Sequence, residues 1–108
     1  MKNLAIGSVL IVALLALARP AMGAEHVVTQ KGKAFSVKKL GVKLGDSVKF
    51  LNEDPFSHNV FSLSDAKSFD LGSYGLGASK NVVFDKAGTV EIECAVHPDM
   101  KLVIEIAK

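Results

Sequence analysis

Between Gly88 and Ala107 the chain alternates apolar and polar side chains with a period of two. Val90, Ile92 and Cys94 fall on one side and Glu91 and Glu93 on the other, and Leu102, Ile104 and Ile106 repeat the arrangement against Val103 and Glu105. Only an extended backbone sends every second side chain to the same face, so both segments read as strands buried on one side. Shorter apolar runs occupy His26–Gln30, Phe35–Leu40, Ser47–Leu51, Asn59–Leu63 and Lys80–Phe84. Turn-forming clusters separate them at Lys31-Gly32, Gly45-Asp46, Glu53-Asp54-Pro55 and Lys86-Ala87-Gly88. Short strands at this spacing predict an all-β Greek-key sandwich or barrel of about seven or eight strands. Gly72 to Gly77, with three glycines, reads as a loop or sheet edge, and Asp65 to Ser68 as a single turn of helix. No long amphipathic helix, internal repeat or linker interrupts the pattern.

The first residues follow a different rule. Lys2 is followed by an apolar run from Leu4 to Ala18, closed by Arg19-Pro20, and Ala21-Met22-Gly23 offers small residues for cleavage. The run is shorter than the roughly 20 apolar residues a membrane-spanning helix needs. It reads as a Sec-type signal peptide over residues 1–23, leaving one domain over 24–108. The expected destination is the bacterial periplasm, with no membrane insertion once the leader is removed. The segment has no cysteine for a lipid anchor and no twin arginine.

Charge narrows the function. The chain has 13 basic and 11 acidic residues, and losing Lys2 and Arg19 with the leader brings the domain to neutrality. Nucleic-acid binding rests on a basic face that neutralises phosphates, so it is excluded as a partner class. A domain this small in an oxidising compartment usually leans on disulfides or a metal. Cys94 is the sole cysteine, which leaves intermolecular pairing, an inert buried thiol or a metal-bound thiolate.

Cys94-Ala95-Val96-His97-Pro98-Asp99-Met100 joins the two best-defined strands and gathers a thiolate, an imidazole and a thioether in one short loop. Each residue alone has a plainer reading: a buried thiol for Cys94, a surface imidazole for His58, core packing for Met100 and a loop end for Pro98. Together, two His, one Cys and a weak axial Met form the donor set of blue-copper electron-transfer sites. His58, at the start of the Asn59–Leu63 run, supplies the second imidazole. A zinc site is the weaker fit, since small zinc domains usually use more than one Cys or no Met.

At these residues the sequence resembles the cupredoxins, and within them the plastocyanin and amicyanin-like group. Phe56-Ser57-His58-Asn59-Val60 is similar to a plastocyanin segment around a ligand histidine, and Cys94 to Met100 has the short ligand spacing of amicyanin. The resemblance implies one type 1 copper per chain, with His58 and His97 bound through Nδ1, Cys94 as thiolate and Met100 axial. It implies that Asn59 directs its backbone N–H at the Cys94 sulfur and ties the two loops together with its side chain. It further implies a monomeric, non-enzymatic electron shuttle whose donor and acceptor proteins dock near His97. The alternative is a copper carrier or tolerance protein using the same ligands. Three features depart from the family pattern: Ser57 replaces a proline, Asp99 replaces an aromatic residue, and no glycine separates Met100 from the last strand.

Phe50, Phe56, Phe61 and Phe84 are expected in the core or at its rim, with Phe56 shielding the site, and Tyr74 at an edge or surface. If cleavage follows Gly23, the new terminus Ala24-Glu25-His26 carries an amine, two amide nitrogens and an imidazole, a set able to hold a second Cu(II) in a square plane.

Overall fold

The computed structural model describes residues 23–108; the expected leader, apart from Gly23, lies outside the described residues. Eight strands follow one another: β1 (Glu25–Gln30), β2 (Lys39–Lys43), β3 (Ser47–Asn52), β4 (His58–Ser64), β5 (Lys67–Tyr74), β6 (Ser79–Val83), β7 (Gly88–Glu93) and β8 (Lys101–Ala107). They form a three-stranded sheet, β1-β3-β6, and a five-stranded sheet, β2-β8-β7-β4-β5. β1 runs parallel to β3 and β2 to β8, and the remaining pairs are antiparallel. Among the described residues no helix is long and apolar enough to cross a membrane.

The alternation read from the sequence sets which face is buried. Leu102, Ile104 and Ile106 of β8 and Val90 and Ile92 of β7 point inward, and Val28, Val48, Phe50, Val60, Val82 and Phe84 complete one continuous core. Burial of each such side chain contributes roughly 1.5–3 kcal/mol. With no second cysteine for a crosslink, that burial carries most of the stability of the metal-free domain.

Two readings of the sequence are corrected. The Phe35–Leu40 run is not itself a strand: Phe35 makes only an isolated bridge to Gln30 and drops its ring against Phe50 at 6.5 Å between centroids, and the strand begins at Lys39. Asp65 to Ser68 is not helical. Asp65-Ala66 is instead the tight turn of a hairpin, with Ser64 paired to Lys67, and β5 runs on as an edge strand through Tyr74. Its signal was the weak alternation of half-buried Phe69 and Leu71 with exposed Ser68, Asp70 and Gly72. Opposite Asn59 to Phe61 the β5 strand carries one extra residue, and Gly72 there adopts φ 72°, a left-handed conformation that glycine accepts without strain.

This topology decides where a site can form. Antiparallel pairing of β4 with β7 sets Phe61 opposite Glu93, so the first residues of β4 lie beside the residues that follow β7. His58 and Cys94 are thereby brought to the same end of the sandwich.

At the β2–β3 connection, Asp46 N–H donates to the Lys43 carbonyl at 2.9 Å, and Gly45 has φ 92°, the third position of a type II turn. The Asp46 carboxylate accepts from His26 Nε2 at 2.9 Å and from the backbone N–H groups of Lys43 (2.9 Å) and Ala24 (2.8 Å). The His26 bond, then those from Lys43 and Ala24, outweigh partial desolvation and bring its pKa down to about 2. A carboxylate with a depressed native pKa adds stability that is complete above its unfolded pKa and is lost as pH falls through the native one. The gap in urea midpoint between the protein and Asp46→Asn is therefore expected to hold steady between about pH 5 and 7 and close as pH drops from about 4 toward 2; a gap independent of pH between about 5 and 2 would contradict the assignment.

Candidate metal centre

The β3–β4 loop is organised by Asn52, a wholly buried amide at the end of β3. Its Nδ2 donates to the carbonyls of Phe56 and Tyr74, both at 2.9 Å, and its Oδ1 accepts from Asp54 N–H at 2.8 Å. Its backbone meets the β5–β6 connection, donating to Ala78 and accepting from Gly77. Two groups of the loop and one at the end of β5 are thus satisfied by one side chain, which fixes the chain path leading into His58.

Asp54 makes the next link. Its carboxylate accepts Gly32 N–H at 2.7 Å, Lys33 N–H at 3.1 Å and His58 Nε2 at 2.6 Å. Gly32 and Lys33 both adopt left-handed backbone, with φ 64° and 57°, which aims two successive N–H groups at one anion. Burial disfavours the charged carboxylate, but the bonds from His58, Gly32 and Lys33 prevail and hold its pKa below the ordinary value. A carboxylate accepts only from a protonated nitrogen, so Nε2 carries the proton and Nδ1 of His58 presents a lone pair.

That Nδ1 points at sulfur. Cys94 Sγ lies 3.9 Å from His58 Nδ1 and 3.8 Å from His97 Nδ1, and the three donor atoms are all within 4.8 Å of one another. His97 reaches this position because Pro98 pre-sets a turn closed by Met100 N–H on the His97 carbonyl at 2.9 Å. The same turn returns Met100 to the interior, where its side chain is wholly buried. A cation bonded at about 2.0–2.1 Å to nitrogen and about 2.3 Å to sulfur holds the two donors about 3.8 Å apart if the bonds open to about 120°, and about 3.5 Å apart at a tetrahedral angle. The observed spacing lets the three donors share one cation.

Asn59 stands between β4 and the Cys94 loop. Its backbone N–H is 3.5 Å from Cys94 Sγ, its Oδ1 accepts Ala95 N–H at 3.2 Å, and its Nδ2 donates to Asp70 Oδ1 at 2.8 Å. The bulge at Gly72 helps to seat it, since the same Asp70 oxygen accepts Gly72 N–H. Phe56 packs against both imidazoles, with ring centroids 5.3 Å from His58 and 5.4 Å from His97. His58 is sealed from solvent, while His97 is partly exposed among Val96, Pro98 and Asp99.

His26 is not part of this cluster. It pairs with Asp46 near the start of β1, whereas the loop leaving the other end of β1 reaches Asp54. Tyr74, expected at an edge or surface, is buried: its hydroxyl donates to Gln30 Oε1 at 2.7 Å, and that burial pushes its pKa up. Asn52 and Asp54 escaped the sequence reading because they stand in a polar stretch that looks like an ordinary turn. The one signal available was an acid four residues ahead of a candidate ligand histidine.

Comparison with known proteins agrees with this arrangement. The family described as "Copper binding proteins, plastocyanin/azurin family" matches residues 23–107. Methylamine utilization protein MauL from Methylorubrum extorquens is 29% identical over 96 residues, covering 88% of this chain and 84% of that protein. A reduced Cu(I) form of an amicyanin mutant superposes with a TM-score of 0.70 at 26% identity, covering 82% of this chain and 87% of that one. A copper-containing nitrite reductase from Thermus scotoductus gives a TM-score of 0.74 at 29% identity over 86% of this chain. The chain spans 26% of that enzyme's length.

Truncation of Asn52 removes the partners of the buried Asp54 N–H and Tyr74 carbonyl and of the part-buried Phe56 carbonyl, each costing about 1–3 kcal/mol where burial leaves it unpaired. Asn52→Ala is expected to lower unfolding free energy by about 2–4 kcal/mol in urea denaturation; a loss below about 0.5 kcal/mol would show that the loop does not depend on it.

Proposed function

The chain belongs to the plastocyanin/azurin family of copper binding proteins, and we propose that it carries single electrons between exported redox proteins, with one copper ion held by His58, Cys94, His97 and Met100. The observation that carries this reading is the spacing of two imidazole Nδ1 atoms and one sulfur at 3.8–3.9 Å, at the closed end of a rigid sandwich. Copper bound there supplies a one-electron Cu(II)/Cu(I) couple.

The protein's own residues would hold the donors in place in either charge state of the metal. Asp54 holds the His58 ring in one tautomer and orientation, and Asn59 joins β4 to the Cys94 loop through Ala95. Phe56 covers both rings, and Met100 and Cys94 are buried in the core. Donors that cannot rearrange impose little reorganisation on electron transfer. His97 faces outward between Val96, 59% exposed, and Phe56, 38% exposed, and this small apolar rim is where a donor or acceptor protein would approach. Asp99 and Lys33 lie beside the same face and add charge selectivity to docking.

Electron carriage fits better than catalysis. The sequence has three histidines, and His26 is engaged with Asp46, which leaves no imidazole to build a second copper centre of the kind a multi-copper enzyme needs. The apolar leader over residues 1–23 supports export, with the domain over 24–108 working as a monomer in the periplasm.

Addition of Cu(II) should produce an intense thiolate-to-copper absorption band at one copper per chain, absent in Cys94→Ser, and should raise the melting temperature because only the native state offers the site. A colourless site that gives up Cu(I) to a mild chelator would point to copper delivery instead. Asp54→Ala, which frees His58 Nε2, is expected to weaken copper retention about 10–100-fold in chelator competition; unchanged retention would mean that His58 does not need its carboxylate.

A further inference from the structure

At the end of β1 away from the copper site, a buried carboxylate lacks a permanent cation. Asp46 is 6% exposed, and among the described residues no Lys or Arg side chain forms an ion pair with it. Its partners are the His26 ring, which is charged only when protonated, and two backbone N–H groups. One of those is Ala24, whose nitrogen sits 2.8 Å from Asp46 Oδ1. Burying a carboxylate against neutral donors alone is costly, and the cost falls sharply when a full positive charge takes one of the positions.

The surroundings hold Asp46 in place. Phe84 N–H donates to the Asp46 carbonyl, Gly45 N–H to the Phe84 carbonyl, and Ser47 N–H to the Ala24 carbonyl, the first rung of the ladder between β1 and β3. Gly23 passes so close to Gly45 that any side chain at position 23 would collide with the Gly45 carbonyl. The fold therefore grips the backbone on both sides of the Gly23–Ala24 bond.

We propose that Asp46 is a receptor for a newly made N-terminus: hydrolysis of the Gly23–Ala24 bond frees an α-amine on Ala24, which docks on Asp46 as an ammonium and locks the start of β1. This rests on the export reading given above. Hydrolysis adds one water across the peptide bond, leaving a carboxylate on Gly23 with the departing leader and an amine on Ala24 that takes up a proton near neutral pH. An amide at Ala24 offers Asp46 one proton and no charge; an ammonium offers three protons and a full charge. Gly23 and Ala24 lie at the surface; cleavage accompanies export, and folding then seats the new terminus. The same arrangement argues against the square-planar Cu(II) chelate at Ala24-Glu25-His26, since Glu25 and His26 lie in the strand paired with β3 and the His26 ring is bonded to Asp46.

The test begins with the full chain exported in a bacterial host and its N-terminus read by intact mass. A protein starting at Ala24 is expected. An intact leader would overturn both this inference and the export reading, and a start at another residue would overturn this inference alone. The copper-loaded chain 24–108, which holds every strand and the core of the described residues, is then compared with a free and with an acetylated Ala24 amine at about pH 6, where the free amine is protonated. The free form should melt about 4–8 °C higher, and the difference should vanish in Asp46→Asn. Equal melting of the two wild-type forms would overturn the receptor whatever the variant does. So would a second bound Cu(II) that disappears in His26→Ala.

Discussion

A carboxylate withdrawn from water has to be satisfied on every side, and Asp54 meets that requirement in a way that organises the functional end of the molecule. Its two oxygens take N–H groups from the β1–β2 loop and the Nε2 proton of His58, while its own backbone hangs from Asn52. Two loops and one candidate ligand are therefore tied to a single anion. Removing that anion would leave the sealed His58 imidazole without a partner and release the two left-handed N–H groups that tie the β1–β2 loop to it. The rigidity that electron transfer requires begins at this polar cluster.

The two imidazoles beside Cys94 are deliberately unequal in setting. His58 is sealed, with its far nitrogen fixed by a carboxylate, so it has one tautomer and one orientation. His97 comes from the loop between β7 and β8, is held by a proline turn rather than by a charged partner, and shows part of its ring to solvent. One side of the site is thus closed and fixed, and the other is open to solvent. Phe56 bridges them, packing on both rings while forming part of the exposed apolar rim.

Much of this was legible in the sequence because it depends on short-range pattern. Alternation in Val90 to Cys94 and Leu102 to Ile106 fixed the buried faces, and the spacing of Cys94, His97 and Met100 placed three donors in one loop. The fold's pairing of β4 with β7 then brought His58 to them, a long-range contact that no local pattern encodes. Asn52, Asp54 and Asp46 were not legible, since polar residues in turns look the same whether they face water or a buried partner. Edge strand β5 escaped for a related reason: with one side open to solvent, Phe69 and Leu71 are the main apolar markers in a run of small and polar residues. At both ends of β1 the structure uses the same device, a buried aspartate joined to a histidine and two backbone N–H groups.

The account stands or falls on whether His58, Cys94 and His97 surround one metal ion. X-ray absorption at the copper edge of the protein loaded with one equivalent of copper reads that shell directly. The account predicts one sulfur and two imidazole nitrogens at bonding distance, with the inner shell nearly unchanged on reduction. A shell of nitrogen and oxygen atoms without a close sulfur would contradict it.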